Sequence, residues 1–425
     1  MLGQEFRAGL SLPIKTPPRT KAGIIDLITE EAAITAAPGE ELRVEMAVSE
    51  GALVAQGAPL ARLRGHPQIA FVAPMAGRVA SITLRPGHRL GEIVLFREAD
   101  GGRFRHDTAA ASSGRDEVAM RALMQQAGLW RALRSRPFGH MPRADEKPAA
   151  IFVMAVDTRP HAPDPSEALK GKEEAFARGL DALTRLTEGP VFVCRSRGAN
   201  VPSDASNGRL RIVTTGERHP QGLAGFQIHA HFPAGLKAPV WDIHAEEVAA
   251  LGALLASGHL PETRLVSIAG AALSESRLVR CQPGADLRGL SYGAVRPGNH
   301  ILLSGSALDG HEARWLAPRD RQSTVLPRHG QRRRGHWFGA ALSRAARPLP
   351  IIPTAALEQA FGAALPAAAM TRALASGDDE TAVRLGALSL LEEDLALADY
   401  VTAAEPRLST MLQGILARIA VEEGG

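Results

Sequence analysis

Apolar and polar residues alternate along Arg78-Val-Ala-Ser-Ile-Thr-Leu84. An earlier stretch, Val48 to Leu60, alternates around Gly51 and Gly57, and Pro86-Gly87 supplies a turn before Gly91-Glu-Ile-Val-Leu95. A period of two turns one face of each strand into a core, and the Pro/Gly punctuation sets short hairpins. Upstream, Gly9-Leu-Ser-Leu-Pro-Ile14 and then Pro17-Pro18 predict an extended arm, because residues before proline avoid the α region. Ser112-Ser113-Gly114 marks a linker, after which the period changes. Ile151-Phe-Val-Met-Ala-Val156 is a continuous apolar run, as in strands buried on both faces. A helix is predicted next from Phe176, Leu180, Leu183 and Leu186, ended by Gly189-Pro190. Val191-Phe-Val-Cys194, Arg211-Ile-Val-Thr-Thr215 and Trp241-Asp-Ile-His244 read as further strands. A helix with Val248, Leu251 and Leu255 inward starts near Ala245.

These patterns predict an α/β multidomain chain of four regions. Residues 1–110 are β-rich with an N-terminal arm, and 115–260 form a Rossmann-like α/β domain. Residues 262–327 carry strand, hairpin, short helix and strand, from Leu265-Val-Ser-Ile-Ala-Gly270 through Val279 and Asp286 to Ile301-Leu-Leu-Ser-Gly305, which suits a β-grasp unit. Residues 328–425 are a basic linker followed by helices. The last helix is the best defined, with Leu408, Met411, Leu412, Ile415, Leu416 and Ile419 on one stripe.

Ala73-Pro-Met-Ala-Gly77 narrows the first region. It resembles the "APMxGxV" string that follows the modified lysine in the barrel-sandwich hybrids of biotinyl and lipoyl carriers. Here the stretch Arg62-Leu-Arg-Gly-His-Pro-Gln-Ile-Ala70 has no lysine. The resemblance therefore implies the fold without a swinging arm.

Composition excludes several classes. At 425 residues with 45% hydrophobic content, the chain is long enough for two to four domains, and with aromatics at 4% its cores must rest on Ala, Leu, Val and Ile. No uncharged apolar run reaches membrane-spanning length, since the stretch from Ala360 is cut by Pro366 and stops at Arg372. The start has no apolar leader, which points to a cytoplasmic protein. Two cysteines, Cys194 and Cys281, are too few for a disulfide framework, a structural zinc site or a four-thiolate cluster. A net charge of +4 does not argue for nucleic acid.

The order of the four regions resembles the A subunit (alpha chain) of the sodium-translocating NADH:quinone reductases, whose relatives include the C subunit of Rnf and the flavoprotein subunit of complex I. Local strings carry the likeness: Gly9 to Ile14, Ala155-Val-Asp-Thr158 with Asp164-Pro165, Leu183 to Gly189, and His219-Pro-Gln-Gly-Leu-Ala-Gly225 with Ile228-His229. So do Ser304-Gly-Ser306 and Leu391-Glu-Glu-Asp-Leu-Ala-Leu397 with Tyr400-Val401. The resemblance implies a peripheral subunit on the cytoplasmic face of the bacterial inner membrane. Its partners would be subunits of the B, C, D, E and F type, and it would contribute to quinone reduction or assembly. Sodium coupling, NADH oxidation and the flavins (FMN and FAD) would lie in other subunits. Ubiquinone is then the candidate ligand, and this chain is expected to bind no cofactor and no metal. A non-catalytic scaffold in another membrane electron-transfer complex is the alternative reading.

Departures from the flavin-binding relatives support that assignment. Their glycine-rich phosphate loop corresponds to Ala127 to Gly139, where Trp130 and Phe138 stand instead, which argues against FMN and NADH here. Where the A-subunit pattern has cysteines flanking Tyr-Val, this chain has Ala398 and Thr402.

Candidate ligand residues are Asp157 and Thr158, just past a buried strand where open α/β sheets place ligand contacts. Asp157 as a turn cap is the bland alternative. His219 and His229 join them, with Gly222 and Gly225, whose spacing suits either an anion at a helix N-terminus or a tight turn; His229 and His231 are expected on one face of a strand. Between Arg314 and Arg347, Arg319, Arg321, Arg328, Arg332, Arg333, Arg334 and Arg344 are opposed in sequence by Asp320 alone. This run reads as a solvated linker or, through Arg332, Arg333 and Arg334, as a docking surface for the membrane-bound partner.

Overall fold

The computed structural model describes residues 8–98, 101–114, 116–199, 208–328 and 351–424. In the first domain two small sheets face each other. One orders Glu31–Thr35, Arg89–Arg97, Gly77–Arg85 and Leu53–Val54; the other orders Val44–Met46, Pro59–Leu63 and His66–Val72. The alternation read from sequence sets which side chains meet. Ile34 lies opposite Ile93 and Val79 opposite Leu95, and these pack inward with Leu60 and Phe71. The hairpin joining Pro59–Leu63 to His66–Val72 turns at Arg64-Gly65, so its tip offers a guanidinium and no amine.

The α/β domain has strands Leu210–Thr215, Val191–Ser196, Ala150–Ala155 and Val240–His244 in parallel order, with Arg134–Arg136 antiparallel at one edge. Ala150–Ala155 is buried along its whole length. Ile151, Val153 and Ala155 enter one core while Ala150, Phe152 and Met154 enter another on the opposite face, which is why its sequence shows no alternation. Helices Glu173–Leu183 and Ala245–Ser257 pack closely and cover the first of these cores. Leu186 lies beyond the first helix but is still buried.

His229 and His231 are not on a strand. They close the helix Ala224–His231, whose Phe226 and Ile228 are both buried. The His-Ala-His alternation gave the wrong period because burial on several sides, rather than amphipathic spacing, holds this helix.

The third domain is built on a six-stranded sheet, ordered Arg19–Asp26, Ser276–Cys281, Arg264–Ala269, Gln322–Pro327, His300–Ser304 and His311–Glu312. Its first strand comes from the N-terminal region and runs parallel to Ser276–Cys281. Residues 1–110 are thus divided between two domains: Ile24 packs with Leu265 and Leu278, and Ile25 joins the β-grasp core. The segment before that strand is the expected extended arm. Gly9 N donates to Gln359 Oε1 at 2.9 Å, Leu10 N to the His219 carbonyl at 2.8 Å, and Gly270 N to Thr16 Oγ1 at 2.9 Å, so it straps three domains.

Helices Ala355–Ala360, Ala367–Ser376, Asp379–Arg384, Ala396–Thr402 and Leu408–Gly424 form the last domain around their own core. The predicted stripe of the final helix is buried at Leu408, Leu412, Ile415, Leu416 and Ile419. Among the described residues no helix is long and apolar enough to cross a membrane.

Candidate functional site

Asp157, Thr158 and Arg159 leave the C-terminal edge of the parallel sheet, where the strand order predicts a ligand crevice. Asp157 Oδ1 accepts from Arg159 N at 2.9 Å, the turn cap foreseen as the bland alternative, and its Oδ2 pairs with Arg159 Nη1 at 3.1 Å. Arg159 Nε donates to Asp309 Oδ2 at 2.5 Å, and Asp309 also takes the amide of Ser306. Burial alone would raise the Asp309 carboxyl, but Arg159 and the Ser306 hydroxyl hold it below the usual range. The Ser304-Gly-Ser306 loop of the β-grasp domain is thereby pinned to the sheet edge. These ion pairs stand at that edge of the sheet. The aligned segment Leu129–Ala132 is closed: Trp130 is fully buried, donates to the Pro142 carbonyl at 2.9 Å and meets Trp241 edge-on at 5.3 Å.

Thr158, His219 and Gly222 come together. Thr158 Oγ1 accepts from Gly222 N at 3.0 Å and lies 3.3 Å from His219 Nδ1. A Cβ at Gly222 would meet Thr158 N at 2.9 Å, so glycine is required by the turn. Burial, then the charge of Arg159, pushes the His219 pKa down to about 4, and its Nε2 is buried without a partner. Gly225 is separated from this group and resolves the anion question differently. Its N–H donates to Asp394 Oδ1 at 3.2 Å, and a Cβ there would sit 2.2 Å from Asp394 Oδ2. The anion at this helix start is supplied by the chain itself. His229 lies at the other end of that helix, against Gly386 of the helical domain, away from the rest.

Asp394 belongs to a buried charge network that joins the helical domain to the sheet edge. Arg136, with no exposure, donates from Nη1 to Asp394 Oδ2 at 2.7 Å and to the Ser389 carbonyl at 2.8 Å, and from Nε to Asp242 Oδ1 at 3.2 Å. Arg134 Nη1 pairs with Glu393 at 2.5 Å. The Leu391-Glu-Glu-Asp string of the sequence is therefore a docking latch between domains.

The arginines 314 to 328 are not a free linker. Arg314 pairs with Glu31 and lies 4.2 Å from the Trp315 ring centre, Arg319 donates to the Leu133 and Gly139 carbonyls, Arg321 pairs with Glu246 and Glu247, and Arg328 with Glu312. Glu31, Glu246 and Glu247 lie far away in sequence, which hid those pairs. Arg332, Arg333 and Arg334 fall outside the described residues.

The feature that sequence reading missed is a cleft of about 270 Å³ where three domains meet. Ile34, Phe71 and Val72 come from the barrel-sandwich, Leu129, Ala249 and Ala253 from the α/β domain, and Pro283 and Leu316 from the β-grasp. Polar groups are few. Gln56 and Arg131 line it, and each has a buried atom with no hydrogen-bond partner, Oε1 and Nε respectively. Lys172 and Glu246, 3.0 Å apart, and Glu247 with Arg264, 3.4 Å apart, also line it as ion pairs. A larger groove of about 640 Å³ lies at the opposite edge of the parallel strands. It is lined by Lys147, Asp181 and Arg209 among others, and its Arg185 and Arg209 donate to backbone carbonyls. Among the described residues no cluster of His, Cys, Asp and Glu is arranged to hold a metal ion.

Comparisons with known proteins cover the same domains. Models described as the NqrA N-terminal barrel-sandwich hybrid domain, the NqrA second alpha/beta domain and the NQRA C-terminal domain match residues 5–96, 115–260 and 265–314. The A subunit of the Na(+)-translocating NADH-quinone reductase of Neisseria meningitidis (serogroup C, serotype 2a) is 32% identical over 455 residues, covering 98% of this chain and 99% of that protein. Its counterparts from Pseudomonas aeruginosa (32% over 449 residues) and Alcanivorax borkumensis (31% over 452 residues) match with the same coverage. Among solved structures, an NAD+-reducing NiFe hydrogenase in its air-oxidized state matches at TM-score 0.37 and 14% identity, over 73% of this chain and 64% of the hydrogenase chain. Its H2-reduced state matches at TM-score 0.34 and 14% identity, over 52% and 48%.

Proposed function

Because this chain belongs to the NqrA family, the A subunits of the Na(+)-translocating NADH-quinone reductase, we propose that it is the peripheral, cytoplasmic-side subunit of such a complex and that it holds quinone in the three-domain cleft. The cleft is the observation that carries this reading. A quinone site is an apolar slot with a few directed polar groups, commonly between domains. Here the walls are mainly aliphatic, with Phe71 in the barrel-sandwich wall, and Gln56 and Arg131 supply unpartnered hydrogen-bonding atoms. Asp157 is taken up by Arg159, and Thr158 by Gly222 and His219, whose Nε2 alone is left without a partner, so their part is to hold the sheet edge to the β-grasp loop.

In this account the chain performs no redox chemistry alone. It positions a quinone, excludes water from it, and presents it to redox groups carried by subunits of the B to F type. NADH oxidation and the flavins stay with those subunits, as does sodium translocation. The Arg159–Asp309 ion pair stands at the C-terminal edge of this chain's own parallel sheet, which supports that division of labour.

The test is a cleft-filling substitution in the assembled complex. Ala250, half-buried on the helix Ala245–Ser257, faces the cleft. Ala250→Phe should raise the KM for quinone while leaving NADH oxidation by an artificial acceptor and co-purification of the other subunits unchanged. An unchanged quinone KM would remove the cleft from the reaction.

A further inference from the structure

We propose that Gln56 and Arg131 recognise the oxygens of the quinone head in this cleft, and that the Gln56 amide accommodates either redox state; this rests on the cleft being the quinone site. Gln56 is fixed by its own backbone, whose N–H donates to the Gly102 carbonyl at 3.0 Å and whose carbonyl accepts from Phe104 at 2.8 Å. Its side chain is 5% exposed, and the amide nitrogen reaches the Pro261 carbonyl only at a weak 3.4 Å. Oε1 has no partner although it is buried. An amide is two-faced: turned one way it accepts through oxygen, turned the other it donates through N–H. A quinone offers carbonyl acceptors and a quinol offers hydroxyl donors. Gln56 matches both by rotation, and the bond lost to Pro261 is the weak one.

Arg131 supplies the fixed donor. It is 9% exposed, its Nη2 is shared between the Thr35 carbonyl and Glu40, and its guanidinium lies 5.4 Å from the Phe71 ring centre. Its Nε–H is buried and unpartnered, and the residue lines the cleft. A buried donor without an acceptor is costly, so a ligand oxygen there is favoured by what it relieves.

The surrounding charges narrow the ligand class. Glu40 pairs with Arg131, and Glu246 and Glu247 in the cleft lining pair with Lys172, Arg264 and Arg321, so each of these cations already has a carboxylate partner. A phosphate or carboxylate would have to compete with those carboxylates for the same cations. An acyl chain would leave both polar atoms unpaired. A neutral ring bearing two oxygens satisfies both.

The experiment uses the full chain, with calorimetric titration of ubiquinone-1, of ubiquinol-1 and of an alkylbenzene of equal size that lacks the oxygens. Melting temperature is recorded for every variant. Gln56→Leu should weaken both redox forms by roughly three- to tenfold, the scale of one lost hydrogen bond. Gln56→Glu, titrated at a pH above the pKa of its carboxyl, keeps acceptors and loses the donor, so ubiquinol should be retained while ubiquinone weakens. Arg131→Met should weaken ubiquinone; if it fails to fold, the two Gln56 variants decide. A change in the quinol-to-quinone ratio is a readout that a packing role would not move. The inference is overturned if wild type binds but Gln56→Leu and Gln56→Glu match it, if Gln56→Glu shifts both forms equally, or if the oxygen-free ring binds wild type as tightly as the quinone. If wild type binds neither quinone form, the reading of the cleft itself fails.

Discussion

Arg136→Met is the sharpest perturbation of the domain assembly. The side chain has no exposure and reaches Asp394, Ser389 and Asp242 at 2.7, 2.8 and 3.2 Å. Methionine fills much of the volume but leaves Asp394 with only the Leu391 and Gly225 amides, at 2.8 and 3.2 Å. Breaking one partner out of a buried ion pair costs about 3–5 kcal/mol. Burial already raises the Asp394 pKa against the pull of Arg136, so in the variant the carboxyl takes up a proton, which caps the cost near the lower end. Asp242 keeps Arg134 at 3.4 Å and suffers less. The loss should appear locally, because the contacts removed join the helical domain to the sheet edge. Hydrogen exchange read by mass spectrometry should show residues 385–395 and the helices from Ala355 onward exchanging faster, with Ala150–Ala155 unchanged. Asp394→Asn added to Arg136→Met should cost less than the sum of the two changes, with a coupling above about 1 kcal/mol. Exchange indistinguishable from wild type in those helices, or strict additivity, would refute the latch.

His219 makes a pH prediction. Its folded pKa of about 4 lies below the ordinary 6.5, so between those values the unfolded chain binds the extra proton and stability rises with pH. His219→Gln should remove that slope, a difference of about 3 kcal/mol between pH 4 and pH 7. Urea midpoints of the two proteins across that range check it, and a flat difference curve would contradict it. For the docking surface, Arg332, Arg333 and Arg334 changed together to Ala should leave the melting temperature unchanged while lowering co-purification with the membrane subunits, more at low salt than at high salt. Equal recovery at both ionic strengths would reduce the run to a solvated loop.

What the sequence disclosed followed from local period. Alternation located the strands around Val79 and Ile93, and the unbroken run from Ile151 located a strand buried on both faces. The stripe from Leu408 to Ile419 located the final helix. Where packing comes from several directions the period fails, as at Ala224–His231, whose histidines suggested a strand. Pairings across long separations left no local trace. Arg136 meets Asp394 258 residues away, and Arg19–Asp26 pairs with Ser276–Cys281. The cleft was invisible for the same reason. Gln56 sits at a single bridge to Arg103 between two short strands, and Arg131 in a bulky segment that was read only for its lack of glycine. Neither signals a site until three domains enclose them. Gly222 and Gly225 were visible as special positions, and the structure supplied the reason: one makes room for Thr158 and the other for Asp394.

The central claim, that this protein holds quinone where its three domains meet, is tested most directly by hydrogen exchange of the full chain with and without saturating ubiquinone-1. The account predicts slowed exchange at residues 33–35 and 70–74 of the barrel-sandwich wall and at 128–132 and 246–253 of the α/β wall, and no change at Asp157 to Arg159. Protection confined to the Asp157–His219 cluster or to the groove at Arg185 and Arg209, or saturable binding with no protection at the cleft segments, would contradict it.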